Sequence, residues 1–477
     1  VTNASTNDIP YNLVDIYIKT NLNSSSWNYF NSYTLTNSEI VVNISRASFG
    51  YTNALESIHI HDSFCQSTTN IVMSPIDESV YYTNIMWNCS NYENIIPESC
   101  FFNLGTRHDF DSDGLSDAFE LLVTHSSTNS LDSDNDSISD YWEYLHGMNL
   151  TDYYDSLEDF DYDGIPNIYE YKNNLNPNVD NWDIAPKIIV SPHSVYSTNG
   201  NVIVCPSIRE AFNISTPYSI VVLEDGLYEE SFCFFPEHPI LLTSNNRGKS
   251  RGAHLLNRSR DLSIFVLGDN QNTHTIVQGL ILDIQGESDF QFGVWLGDGK
   301  IVEYKGSGGL FKNVYFMLGG TKSCGAYILG HSTNEVIFSS CVFDASKATD
   351  PRGIYAIYSP QITLENCSFI NFPPITNNVS YGMQLESYNY MGSTNCYPAV
   401  ENVILRNTLF DSSFSNCYAL TRLENYMLYN VTMENCIIPS ELDFPADINH
   451  NVTITNAMTT YTGHLLENSP AINHGSF

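Results

Sequence analysis

The feature that most constrains the fold is a motif that keeps its phase along the C-terminal half. Asn313 precedes Phe316 by three residues, Ser340 precedes Phe343, Asn366 precedes Phe369 and Asn407 precedes Phe410. The motif starts at 313, 340, 366 and 407, so the steps are 27, 26 and 41 residues. Such steps fit one, one and two coils of a solenoid, the last with an insertion. Short apolar runs recur beside the motif, from Val336 to Phe338, Ile362 to Leu364 and Val403 to Leu405, and read as the strands of successive coils. Stacked coils place Asn and Phe ladders inside. Cys341, Cys367, Cys417 and Cys436 each follow a Ser or Asn, which predicts a sulfur ladder.

Upstream, Ser207 lies three residues before Glu210. This capping box opens a short amphipathic helix. A buried strand is expected from Ser219 to Leu223, then a Gly226-Leu-Tyr228 turn, then a strand from Pro239 to Thr243. This order resembles the entry of the pectin-lyase-like superfamily. The segment Ser469-Pro-Ala-Ile-Asn-His-Gly475 resembles a C-terminal signature of the same superfamily, which normally precedes chain that finishes the last coil. The resemblance implies a right-handed parallel β-helix over 184–477 and says little about activity.

Residues 106–183 hold three acidic dodecads that align without gaps. The first runs Asp109, Asp111, Asp113, Gly114, Leu115, Asp117, Glu120; the second Asp132, Asp134, Asp136, Ser137, Ile138, Asp140, Glu143; the third Asp159, Asp161, Asp163, Gly164, Ile165, Asn167, Glu170. Oxygen donors fall at positions 1, 3, 5, 9 and 12. Leu115, Ile138 and Ile165 at position 7 offer a backbone carbonyl. This spacing suits Ca²⁺, a hard cation that takes oxygen ligands, with the Glu at 12 as a bidentate clamp. Without a cation the carboxylates repel one another, so the ion is expected to contribute folding energy. Ser137 departs from the Gly expected at position 6. Short helices are expected after the loops, from Ala118 to Val123, Tyr141 to His146 and Ile168 to Asn173. The zone resembles bacterial thrombospondin type 3 repeats, which implies a calcium-binding spacer.

Residues 1–105 read as a small, sandwich-like β domain, with alternation from Leu13 to Lys19, Ile40 to Ile44 and Ser57 to His61. His59 and His61 share a strand face, where two imidazoles can hold a transition metal. The segment Asp8 to Lys19 can either dock in its own domain or add to the sheet of a neighbour. The whole chain is therefore expected to be all-β dominated: an N-terminal β domain, a calcium-loop spacer with short helices, and a β-helix.

Composition decides what such a chain meets. Asp plus Glu number 54 against 19 Lys plus Arg, a formal net charge of −35. That charge repels phosphate backbones and anionic lipid, which excludes nucleic acid as a partner. No apolar run is long enough to span a bilayer. The 11 cysteines include no CxxC pair, so an oxidising compartment with disulfides is expected. The first residue, Val1, fits a processed precursor. Sequons at Asn3, Asn23, Asn43, Asn88, Asn149, Asn213, Asn257, Asn378, Asn430 and Asn451 are glycosylation candidates; the sequon at Asn366 falls in the expected inward ladder.

These features predict a secreted or cell-surface calcium-binding structural glycoprotein. It would self-associate head to tail, since an unfinished solenoid end invites another subunit. The alternatives are a polysaccharide lyase or glycoside hydrolase, or an adhesin that holds glycans on exposed Tyr and Trp. A lyase needs a base, and the candidates are Lys347, Arg352 and Arg406, near Asp344 and Asp411. The expected Asp-Asp pair of a hydrolase is absent from the sequence, and no catalytic residue is assigned.

Overall fold

The computed structural model describes residues 107–192 throughout. Before them it describes seven strands, and after them 194–231, 233–249, 251–257, 263–268, 273–286, 291–297, 307–329, 334–357, 361–374, 380–386, 402–411, 413, 418–422, 430–438 and 453–454. The chain divides into two compact units, Val1–Glu158 and Asp159–Phe477. The boundary falls inside the expected spacer 106–183, so the third acidic loop belongs to the unit that holds the solenoid.

In the first unit, five strands form an antiparallel sheet in the order Asn28–Thr34, Leu13–Lys19, Phe101–Thr106, Val80–Thr83 and Pro75–Asp77. Glu39–Ser45 and Leu55–His61 form a separate hairpin that carries His59 and His61. Leu13–Lys19 pairs on both edges within its own chain. It is therefore an interior strand docked in its own domain, the first of the two expectations for this segment, and not an arm for a neighbour's sheet. Its Tyr17 is fully buried and packs with Ala118 and Leu122 from the helix after the first acidic loop.

The second unit is a right-handed parallel β-helix. Its three sheets are built from strands that recur once per coil. The first sheet stacks Lys187–Val190, Ser219–Leu223, Ile240–Ser244, Ile276–Gln278, Gly309–Lys312, Val336–Ser339, Ile362–Glu365, Asn402–Arg406 and Asn430–Glu434 in parallel. The second includes Leu280–Gly286, Tyr315–Gly320, Val342–Ala348, Ser368–Ile370 and Leu409–Phe410. The third includes Gln291–Leu296, Ser323–Leu329, Pro351–Ile357 and Tyr381–Glu386. At the entry the helix Ile208–Ile214 is capped by Ser207, whose Oγ accepts from the Glu210 N–H. Glu230 adds a second cap, accepting from the Ile208 and Arg209 N–H groups.

The phenylalanine ladder is present: Phe316, Phe343, Phe369 and Phe410 are fully buried and stack with ring centroids 4.6, 4.6 and 4.7 Å apart. The Asn ladder does not point inward. Asn313, Ser340, Asn366 and Asn407 make the corner between the first two sheets in the left-handed region, φ 48–55°, which Asn accepts more readily than most residues. Asn366 is exposed, and Asn407 Nδ2 reaches its Oδ1 at 3.1 Å along the surface. The residue after each corner is the one that faces in, and here sit Cys341, Cys367 and Cys436. Each thiol donates to a carbonyl of the previous coil: Phe311, Phe338 and Leu405, at 3.2, 3.2 and 3.4 Å. All six described cysteines are buried free thiols, so no disulfide exists among the described residues. Cys65, Cys89, Cys100, Cys396 and Cys417 lie outside them.

Candidate metal centre

The three acidic loops fold by one local scheme. Positions 4 and 6 adopt positive φ in each: Ser112, Asn135 and Tyr162 at 62–65°, then Gly114, Ser137 and Gly164 at 108°, 79° and 97°. Ser137 therefore takes the same turn as the glycines. The position 1 carboxylates of Asp109, Asp132 and Asp159 accept from the position 6 N–H at 3.2, 2.9 and 2.9 Å. Position 3, Asp111, Asp134 and Asp161, accepts from the position 5 N–H at 3.3, 3.2 and 3.0 Å. Position 5, Asp113, Asp136 and Asp163, accepts from the N–H of Leu115, Ile138 and Ile165 at 2.7, 2.7 and 2.8 Å. Position 1 spends both of its oxygens on the loop backbone, whereas positions 3 and 5 spend one oxygen each on the backbone of their own loop.

At positions 3 and 5 the second oxygen meets no donor, except at Asp163. Asp111, Asp113, Asp134, Asp136 and Asp161 each keep a buried Oδ2 without a hydrogen bond, as do Glu120 Oε2, Glu170 Oε2 and both oxygens of Glu143. Ligand atoms of Asp109, Asp111 and Asp113 lie within 4.8 Å of one another, and the same holds for Asp132, Asp134 and Asp136 and for Asp159, Asp161 and Asp163. Burial, reinforced by neighbouring carboxylates, pushes Asp113 and Asp134 up to about 6, Glu120, Asp136 and Glu170 to about 8 and Glu143 to about 9. Buried acceptors without donors are costly, and a hard divalent cation would supply what the protein omits.

Position 9 behaves differently from the ligand role read from spacing. Asp117, Asp140 and Asn167 each accept from the position 2 N–H of their own loop, at 2.9, 2.8 and 3.3 Å. Asp117 also holds His108 Nδ1 at 2.6 Å. This residue is a clamp that closes the loop, and only Asp140 also lies in a cluster, with Asp113 and Glu120. A further cluster joins Asp136 and Glu143 to Asp155, which lies outside every dodecad. No spacing rule marks Asp155, because its place depends on the helical turn Asp155–Leu157.

The third loop is tied to the solenoid. Gln278 Nε2 donates to the Gly164 carbonyl at 2.7 Å, and the Tyr169 hydroxyl to the His274 carbonyl at 2.5 Å. Asn181, also missed from sequence, donates its N–H to Asp163 Oδ2 at 2.6 Å and its Nδ2 to Glu170 Oε1 at 3.1 Å.

On the solenoid, Asp344 and Asp411 fall in one column of the second sheet, with Ile370 between them. Asp283 is in the same column, beyond Met317; sequence reading missed it because Leu282 stands where later coils carry Phe. Asp344 accepts from the Tyr315 hydroxyl at 2.6 Å and from Asn371 Nδ2 at 3.0 Å. Arg406 is held between Glu365 at 2.8 Å and Glu434 at 3.3 Å. Arg352 pairs with Asp350 at 3.7 Å and donates to Gln384, and Lys347 is exposed beside Met317 Sδ. The two arginines proposed as bases are thus neutralised by acids or held by an amide.

Of the glycosylation candidates, Asn149 and Asn213 are exposed. Asn257 is fully buried and has no room for a glycan. Asn366 is exposed, so its exclusion as an inward residue is reversed. Asn43 and Asn430 lie on described strands; Asn3, Asn23, Asn88, Asn378 and Asn451 lie outside the described residues.

No protein-family model matches the chain, and no curated protein does. Among solved structures it resembles a pectin methylesterase in complex with a hexasaccharide, at 13% identity and a TM-score of 0.33, over 60% of this chain and 85% of that one. Pectin methylesterase PemA from Erwinia chrysanthemi gives 13% and 0.31, over 60% and 85%. The pectate lyase Pel9A gives 14% and 0.31, over 61% and 92%. The fold assignment rests on the sheets themselves.

Proposed function

We propose that this chain is a calcium-binding structural glycoprotein of the cell surface or extracellular space, whose acidic loops become rigid when they take up Ca²⁺. It assembles head to tail into a fibre or matrix. One observation carries the calcium reading: nine inward carboxylate oxygens at positions 3, 5 and 12 are buried and lack donors. The loop scheme, which resembles thrombospondin type 3 repeats in its spacing, supports the same cation. Extracellular calcium is abundant enough to fill even weak sites of this type. No helix among the described residues is long and apolar enough to cross a membrane.

Calorimetric titration of the calcium-free chain tests the reading. Saturable uptake of calcium, with little response to magnesium at the same concentration, is expected; no heat and no uptake would refute it. Assembly is tested separately by sedimentation velocity in calcium and in chelator. Growth of large species with protein concentration is expected in calcium, and monomer throughout contradicts the fibre.

A second reading, glycan binding, is favoured by a cleft of about 330 Å³ in the first unit, lined by Tyr29, Phe119, Tyr141, Tyr144, Asp15 and Arg107. Aromatic faces beside a carboxylate and a guanidinium suit a sugar ring. Glycan-array binding that falls with Tyr144→Ala would support it, and no binding across the array would remove it.

A further inference from the structure

We infer that the first two acidic loops each borrow a cation ligand from the chain that follows them: Asp140 completes the site of the first loop, and Asp155 that of the second. The inference rests on the calcium reading above and deepens it. Ligand atoms of Asp113, Glu120 and Asp140 lie within 4.8 Å of one another, and so do those of Asp136, Glu143 and Asp155.

An independent observation shows that these clusters await a partner. Glu143 is fully buried and neither of its oxygens meets a donor; Asp136 Oδ2 and Glu120 Oε2, also on fully buried residues, are equally without one. Folding a further carboxylate against such groups is strongly unfavourable unless a positive charge sits among them. Asp155 is nonetheless held in place, because its Oδ2 accepts from the Asn149 N–H at 2.7 Å. Asp140 in turn clamps Ser133 of its own loop, through N–H at 2.8 Å and Oγ at 2.6 Å, while facing the first site. One residue therefore shapes the second loop and closes the first, so filling either site orders the other. The third loop has Asn181 N–H and amide at Asp163 and Glu170 instead, and its site stands outside this coupling.

The test is calcium titration of the full chain by calorimetry, with calcium chloride as the only probe. Asp155→Asn keeps an acceptor for Asn149 but loses the charge; Asp152→Asn, on an exposed neighbour, controls for net charge. Asp155→Asn is expected to weaken one binding step about tenfold, as fits sites tuned by ligand charge, and to flatten the cooperative part of the isotherm, while Asp152→Asn matches wild type. Should Asp155→Asn be unfolded without calcium, the calcium concentration that restores its circular dichroism replaces the isotherm, and a raised midpoint is expected. Wild-type binding with an unchanged Asp155→Asn curve overturns the ligand assignment alone. A wild-type chain that takes up no calcium overturns the calcium reading itself.

Discussion

At position 6 of the acidic loops, identical backbone demands meet different neighbours. A Cβ on Gly164 would lie 2.7 Å from the Arg247 carbonyl oxygen and 2.8 Å from its Cα, whereas on Gly114 it would meet the Tyr141 ring at 3.4 Å. Ser137 adopts the same left-handed turn with its side chain in place. Gly164→Ala therefore adds a backbone clash to the strain of positive φ, about 1–3 kcal/mol for the strain alone; thermal unfolding should show a clear loss, while Ser137→Gly stays near wild type. Titration supplies another expectation at this scale. In the calcium-free chain Glu120, Asp136 and Glu170 are raised to about 8 and Glu143 to about 9 by burial and adjacent carboxylates. Folded values above unfolded ones mean that the protonated form favours the fold. That stability is complete below about pH 4, the unfolded range, and is lost as pH rises through 8 to 9. Calcium-free protein should melt higher at pH 5 than at pH 8.5, and calcium, which competes with those protons, should reverse the order. A calcium-free midpoint that rises with pH contradicts it.

Between elements, the phenylalanine ladder of the second sheet packs into a groove of glycines on the third. Gly293, Gly325 and Gly353 stack in register, and a Cβ on Gly325 would lie 2.8 Å from the Phe343 ring and 2.6 Å from the Gly353 carbonyl oxygen. Phe343→Ala should cost about 3–5 kcal/mol, the usual range for a buried aromatic. Gly325→Ala should also destabilise, although it only adds a methyl group, because ring and backbone close the space from two sides. Urea unfolding reads both, and a neutral Gly325→Ala would show that the groove has slack. The ladder was legible in the sequence because Phe repeats in phase; the groove was not, because a lone Gly inside a strand gives no partner. The corner residues show the complementary error. Asn at a fixed phase reads as a ladder, but its backbone preference for positive φ, rather than its side chain, explains the repetition, and the inward place falls to the next residue. Those inward cysteines, expected from their phase as a sulfur ladder, are thiols sealed by the coil. All three are buried, and burial raises Cys436 to about 11; because sealed thiols are out of reach of reagent, alkylation of native protein followed by peptide mapping should leave Cys341, Cys367 and Cys436 unmodified.

For the whole molecule, the parts legible in sequence were the local ones. Each dodecad builds its turn from bonds between residues at most seven apart, so spacing alone revealed Asp109 to Glu120 and its two counterparts. Asp155 and Asn181 became visible only in three dimensions, because tertiary packing brings them to loops that end 12 and 11 residues earlier in the chain. The domain division shifted for the same reason: Gln278 and His274 bind the third loop to the solenoid, contacts that no local pattern announces. On the proposed calcium reading, a chain with a formal charge of −35 that buries donorless carboxylates depends on bound cations more than on any single packing contact. The most direct measurement is thermal unfolding at neutral pH in millimolar calcium, in chelator, and in chelator followed by excess calcium. A midpoint about 10 °C lower in chelator, the shift that a site filled a thousandfold above its Kd gives in a unit of this size, and full recovery on adding calcium back, is the predicted result. One midpoint under all three conditions would contradict it.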